Sequence, residues 1–400
     1  MTETLAELAQ RYGVNEEQAA ALDFRENTAL RAGAGSGKTR VLTKRFVRIL
    51  LEDPQADLAD IVAITFTRKA AAEMRDRVRR EIGDVLRRSE NTDCIGDGHA
   101  AHPNGETHPK VDNMALTPAL RQRLTRIRLG MTDARIDTIH GFLGNLLRAY
   151  FEHIGLDPSF DILEASDAAV RIQRHIDAAI RSVCVDDRFD VPLRAFLAAY
   201  GADALDTSLP EAVMKLYEET RTSGRTPAEL RQMHAVCEVD PPAIPIDPTQ
   251  ATPATPPPSA SDPIEALETL ALEILVRMEA SYEAAKQREN VLDFSDLETC
   301  ALRLLADPVT CRRVRASFRY LMMDEFQDVN PLQMRLVKRL ALEDDGTLAP
   351  GRLFIVGDAK QSIYGFRGAD SGVFETACGL IARNLSIIHI SQLSLIHISQ

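Results

Sequence analysis

Ala32-Gly33-Ala34-Gly35-Ser36-Gly37-Lys38-Thr39 stands between a short apolar run, Thr28–Leu30, and a helical pattern over Arg40–Leu51. A strand, a glycine loop and a helix in that order are the setting in which backbone N–H groups turn inward around a phosphate. The helix N-terminus adds positive potential at the same spot. In this reading Lys38 reaches the β- and γ-phosphates of ATP and the Thr39 hydroxyl ligates Mg²⁺. The first position is Ala32 where the strict pattern has glycine.

A phosphate loop needs an acidic site for the metal, and Tyr320-Leu-Met-Met-Asp-Glu325 supplies one at the end of an apolar run. Asp324 is placed to hold Mg²⁺ and Glu325 to act as general base on an attacking water. Asn330, Pro331 and Gln333 then read as a helix start. Asn15-Glu-Glu-Gln18 has two readings that stay open: a capping-box helix start, or an amide at Gln18 that recognises the adenine edge.

Around these motifs the runs Ile61–Phe66, Tyr320–Met323 and Leu353–Val356, with Thr28–Leu30, read as buried parallel strands. Helical stretches such as Ala70–Ile82 and Leu332–Leu340 separate them, so the expected class is α/β with a parallel sheet. Residues 1–150 form a first part and residues 290–384 a second part of one lobe. Between them, 151–289 reads as an inserted helical domain, with helices over Ala168–Val183, Val191–Tyr200 and Pro263–Gln287. Its segment 239–263, rich in Pro, Ser, Thr and Ala, cannot form a packed core. Residues 90–117 read as a polar loop, because Cys94, His99, His102 and His108 match no zinc spacing. Leu385–Gln392 is repeated almost unchanged as Leu393–Gln400; the expectation is that this tail is artefactual and that the natural sequence differs after about Asn384.

Composition narrows the class. An apolar share of 45% with 26% charged residues fits a soluble globular chain, and six cysteines without a C-x-x-C pair fit a reducing compartment. No stretch reaches the roughly 18 apolar residues of a membrane span, so a cytoplasmic location with no membrane partner is expected. The net charge of −12 argues against nucleic acid taken alone. Basic runs at 68–88 and 121–135 permit such binding locally without demonstrating it.

The order and spacing of these motifs resemble the UvrD/Rep-like superfamily 1 DNA helicases. Val14–Ala21 looks like the Q-motif, Ala32–Thr39 with Arg40 resembles motif I, and Thr65–Met74 resembles motif Ia. Thr138–Phe142 is similar to the next DNA-side motif, and Asp293–Leu297 to the segment returning to the first lobe. Asp324–Gln333 is similar to motif II and Val356–Ala369 to motif III. The resemblance implies a RecA-like P-loop lobe that binds ATP and Mg²⁺ and works on single-stranded and duplex DNA, usually moving 3′ to 5′. It implies nucleotide contacts at Gln18, Ala32, Gly33, Ala34, Gly35, Ser36, Gly37, Lys38, Thr39 and Arg40. Lys38, Asp324, Glu325 and Gln361 would serve catalysis, Gln361 by sensing the γ-phosphate. DNA contacts fall on Thr65, Phe66, Lys69, His140, Tyr364, Phe366 and Arg367, the aromatic faces stacking bases.

Phe366 stands where UvrD and Rep carry Trp. With Leu156–Glu164 after the His140 motif, that looks more like the AddA/RecB branch, whose members are helicase-nuclease subunits in DNA repair and recombination that work with a second subunit. The chain stops soon after motif III, so a second RecA-like lobe is expected to be missing and turnover to be poor. An ATP-binding regulatory module without motor activity is the alternative. An unrelated P-loop kinase would not explain the grouping of Gln361, Tyr364 and Arg367.

Overall fold

The computed structural model describes residues 3–33, 35–93, 116–226, 229, 263–358, 371–382 and 387–390. Gln361, Tyr364, Phe366 and Arg367, the four histidine and cysteine positions at 94–108, and nearly all of 239–263 lie outside the described residues. Two compact units emerge, one from 1–154 with 300–400 and the other from 155–299.

The first unit is built on a six-stranded sheet of β1 (Thr28–Ala32), β2 (Ile61–Thr65), β3 (Arg135–Thr138), β6 (Tyr320–Met323), β7 (Leu353–Gly357) and β8 (Ile387–Ile390), in the order β3-β2-β6-β7-β1-β8. Every pairing is parallel. All five residues of β2 and of β7 are buried, as the unbroken apolar runs require of strands covered on both faces. Phe66 leaves the strand and is exposed, so β2 ends one residue earlier than its apolar run. The core draws on Leu22, Leu30, Phe46, Ile49, Met74, Ile82, Ile136 and Phe354.

Three buried polar side chains set the strand ends. Asn27 donates to the Ala349 carbonyl at 3.0 Å and accepts from Leu353 N–H at 2.8 Å, which fastens the starts of β1 and β7 together. Arg45, on the helix Lys38–Glu52, is 1% exposed; it donates to the carbonyls of Ala21 and Glu26, each at 2.7 Å, and lies 4.4 Å over the Phe354 ring. Burial pulls its guanidinium down to about 9. Arg352 likewise donates to the carbonyls of Arg315 and Leu340 beneath β7.

The chain runs from β1 across two strand positions to β2, then outward to β3, and returns to fill the gap with β6 and β7. In such a sheet the carboxyl ends of the strands share one edge, and ligands gather where the strand order reverses. β8 lies beside β1, pairing Ala29 with Ile387 and Leu30 with Ile388.

The second unit packs the helices Ala165–Cys184, Asp190–Tyr200, Ser208–Ser223 and Pro263–Glu289 around Ile176, Phe196, Val213, Leu270, Ile274 and Tyr282. A parallel ribbon of β4 (Asp161–Ile162) and β5 (Val291–Leu292) joins its two ends. Asp293 and Asp296 each accept the other's backbone N–H at 2.9 Å, opening the helix Phe294–Leu304. They are also the counter-charges of buried Lys286, at 3.1 and 2.6 Å, and of Arg221. The two aspartates of the Asp293–Leu297 motif therefore work inside this unit as the anionic half of an ion cluster.

Candidate functional site

The glycine loop follows β1, and two of its residues occupy backbone space that side chains avoid: Gly35 at φ 75° and Gly37 at φ 83°. Ser36 closes the turn by donating its hydroxyl to Gly33 O at 2.6 Å. Gly37 is the N-cap of the helix Lys38–Glu52 and supplies no side-chain cap. First-turn N–H groups without a capping side chain are the donors an anion takes up. Ala34 lies outside the described residues.

Lys38 is largely buried, and its Nζ lies 3.0 Å from Glu325 Oε2. That contact brings together the end of β1 and the end of β6. Thr39 is half-buried in the first helical turn. Arg40 is exposed and donates to the Gly13 carbonyl, pinning the start of the helix to the loop after the helix Leu5–Tyr12. Gln18 does two things: it completes a capping box with Asn15, and its Nε2 donates to Ser36 O at 2.8 Å. A Cβ at Gly37 would sit 3.0 Å from that same nitrogen. The amide is thus at the loop, holding its backbone.

Asp324 donates its N–H to Ile64 O at 2.9 Å, so it begins where β6 still pairs with β2. Burial, then the neighbouring Glu325 charge, pushes its carboxyl up to about 6. Glu325 sits at φ 50°, a left-handed conformation that costs a non-glycine residue about 1–3 kcal/mol and persists only when the surroundings hold it. The 3₁₀ turn Phe326–Asp328 follows directly. It folds Gln327 back so that its Nε2 donates to Glu325 Oε2 at 2.8 Å, while its Oε1 accepts from Asp358 N–H at 2.9 Å. Asp328 is also pushed up to about 6, by burial and by Glu325. Neither Gln327 nor Asp328 draws a role from the sequence; the signal that could have found them is their i, i+2 and i, i+3 spacing from Glu325 within a tight turn.

A second group of side chains stands at the ends of β2 and β3, where Thr65 and Thr138 are register partners. Thr65 is buried and donates to Thr67 O at 3.1 Å; Thr67 Oγ1 accepts from Ala70 N–H at the start of the helix Arg68–Asp93. Phe66 and Lys69 are exposed there, and His140 is half-buried in the first turn of the helix Ile139–Ala149. Gly141 leaves room for the Asp137 carboxylate, which a Cβ would meet at 2.3–2.5 Å. The neighbouring basic runs are largely engaged in structure: Arg75 donates to Ile136 O, Arg77 and Arg87 pair with Glu73 and Asp84, and Arg123 donates to the carbonyls of Asp53 and Ala56.

Residues 14–378 match the family model of the UvrD/REP helicase N-terminal domain. The chain belongs to that family. Family relatives include one subunit of an ATP-dependent helicase/nuclease of Anoxybacillus flavithermus, 24% identical over 87% of this chain and 36% of the relative. The RecBCD enzyme subunit RecB of Mycobacterium tuberculosis is 29% identical over 88% of this chain and 27% of its own. An ATP-dependent DNA helicase PcrA from Staphylococcus aureus is 25% identical, with 89% and 34% covered. The chain spans about a third of the length of the curated relatives it matches. Among the described residues, no helix is long and apolar enough to cross a membrane.

The UvrD/REP family implies ATP and Mg²⁺, and the donor set suits both. Uncapped helical N–H groups and Lys38 complement phosphate oxygens. A cation that takes one or two protein oxygens and fills the rest from phosphate and water needs no larger ligand cluster. Asp324 and Thr39 are the protein donors that would hold it.

Proposed function

We propose that this chain carries the ATP-binding and hydrolysing site of a DNA helicase or translocase. The Lys38–Glu325 contact at 3.0 Å carries the reading, because it joins the phosphate-loop lysine to the strand-end base. Phosphate competes with Glu325 for the Lys38 ammonium. When Lys38 turns to the phosphates, the Glu325 carboxylate is released to orient a water and accept its proton. Bound magnesium supplies charge neutralisation on the phosphates; Asp324 holds its place as a carboxylate, and Gln18 steadies the loop at Ser36.

The DNA track in this reading crosses the ends of β2 and β3, with Phe66 as a stacking face, Lys69 on the backbone, and Thr65 and His140 beside them; Tyr364, Phe366 and Arg367, outside the described residues, are read as further DNA contacts, and Gln361 as the sensor of the γ-phosphate. The unit of 155–299 is read as a helical insertion into a RecA-like lobe. Movement from 3′ to 5′, a role in repair or recombination, a cytoplasmic setting and pairing with another helicase–nuclease polypeptide are what the resemblance to this family implies, and they stand as part of the proposal.

The test is ATP hydrolysis with and without a single-stranded oligonucleotide, in wild type, Lys38→Ala and Glu325→Gln. Turnover that DNA raises and both substitutions abolish supports the motor reading. Nucleotide binding that depends on Lys38 without DNA-stimulated turnover in the chain supports the regulatory module instead.

A further inference from the structure

We propose that Gln327 is a positioning residue that sets the Glu325 carboxylate and couples it to the backbone leaving β7 at Asp358; this rests on the hydrolytic reading above. Gln327 is 3% exposed, and both ends of its amide are used in opposite directions. Its Nε2 donates to Glu325 Oε2 at 2.8 Å and its Oε1 accepts from Asp358 N–H at 2.9 Å. The Glu325 oxygen it holds is the one that Lys38 holds from the other side at 3.0 Å. Once the lysine turns toward phosphate, Gln327 is left to keep the carboxylate in place. Glu325 needs such a hold, because its φ of 50° is unfavourable for a side-chain-bearing residue.

The β7 side is built to admit this amide. A Cβ at Gly357 would come within 3.1 Å of Gln327 Oε1 and 3.0 Å of the Phe374 ring, so the bare backbone at the strand end makes the close approach possible. Asp358 belongs to the stretch Val356–Ala369 that resembles motif III. A shift of that backbone thus reaches the general base through one rigid amide, whose planarity turns a displacement of Asp358 N–H into a rotation of the Glu325 carboxylate.

The two substitutions that separate the ends of the amide are Gln327→Leu, which removes the hydrogen bonds to Glu325 and Asp358 and the longer one to Asp328 Oδ2 at 3.4 Å, and Gln327→Glu, which keeps an acceptor for Asp358 N–H but sets a like charge against Glu325 and Asp328. They are compared with wild type and Lys38→Ala in the full chain. The readouts are ATP hydrolysis with a single-stranded oligonucleotide, binding of a fluorescent ATP analogue, and amide exchange at Asp358 by NMR. Both variants should lose roughly tenfold to a hundredfold in kcat, the scale of a hydrogen bond to a charged group, with KM and analogue affinity within about twofold. Exchange at Asp358 should quicken about tenfold or more in Gln327→Leu and stay near wild type in Gln327→Glu. Wild-type kcat in Gln327→Leu, or a rise in KM with weakened analogue binding alongside the fall in kcat, overturns the positioning role. Unchanged exchange at Asp358 in Gln327→Leu overturns the link even if turnover falls. Wild-type hydrolysis that Lys38→Ala leaves untouched overturns the hydrolytic reading itself, and is told apart by that control.

Discussion

Lys38 and Glu325, 287 residues apart in sequence, meet at 3.0 Å between the ends of β1 and β6. The pair is a charge-assisted contact in a half-buried setting; in the proposed function the ammonium turns to phosphate and the carboxylate accepts a proton.

Removing either partner should have opposite effects on binding. Lys38→Ala should weaken ATP by about 1.5–3 kcal/mol, roughly tenfold to a hundredfold. Glu325→Gln removes the negative charge that competes with phosphate for the ammonium, so the same titration should show equal or tighter binding while hydrolysis falls on the order of 10²–10⁴. Weaker nucleotide binding in Glu325→Gln, measured by fluorescence titration, would contradict the competition between phosphate and Glu325.

Asp324 gives a pH dependence whose sign follows from its environment. Its folded pKa of about 6 is above the ordinary aspartate value, so the protonated form is favoured in the fold. Its contribution to stability is present below the unfolded value of about 4 and is lost as pH rises through about 6. Asp324→Asn should therefore raise the melting temperature at pH 8 in metal-free buffer and flatten the change between pH 5 and pH 8. The same substitution should abolish Mg²⁺-dependent strengthening of ATP binding, which in wild type should fade as pH drops below about 6. A lower melting temperature for Asp324→Asn at pH 8 would be the contrary result.

Lys286 is 2% exposed and is the cationic centre facing Asp293 and Asp296. Replacing it with Met leaves two buried carboxylates to Arg221 alone, at a cost of about 3–5 kcal/mol. Chemical denaturation of Lys286→Met should show it, and adding Asp296→Asn should recover part of the loss. Additive losses in the double variant would mean that the cluster is not a unit.

Gly141 and Asp137 form a steric pair. Gly141→Ala places a Cβ inside the van der Waals envelope of the Asp137 carboxylate, and should lower stability by roughly 1–3 kcal/mol, the range of overpacked positions. Asp137→Ala should rescue most of it in thermal melts of the double variant, although it gives up the Thr138 N–H contact at 2.7 Å. No rescue would place the damage in the helix backbone instead.

Legibility in the sequence follows burial. β2 up to its closing Thr65, β6 and β7 are buried, mostly apolar runs, and their strand character is plain from the residues alone. β3 does not read as a strand, because Arg135 and Asp137 interrupt its apolar residues: Arg135 points outward to the Ser317 carbonyl and Asp137 to the turn. β4 and β5 are two residues each and carry no period. At the site, Lys38, Asp324 and Glu325 announce themselves by type and spacing. Gln18 is ambiguous for a physical reason, since one amide serves the helix cap and the loop together. Gln327 is silent because its importance lies in a tight turn and in Asp358, thirty-one residues away, which only the folded sheet brings within reach.

The strand order also sets a timetable for synthesis. β1 emerges first, yet its neighbours in the sheet are β7 and β8, from residues 353–357 and 387–390. On a ribosome the strand that carries the glycine loop must wait for more than three hundred residues before its backbone finds a partner. The helical segment between, closed at its own ends by β4 and β5, has no such wait. A chaperone that shields the nascent Thr28–Ala32 edge would therefore matter most before the second half of the sheet has left the exit tunnel, a period in which the future phosphate loop is an unpaired strand edge.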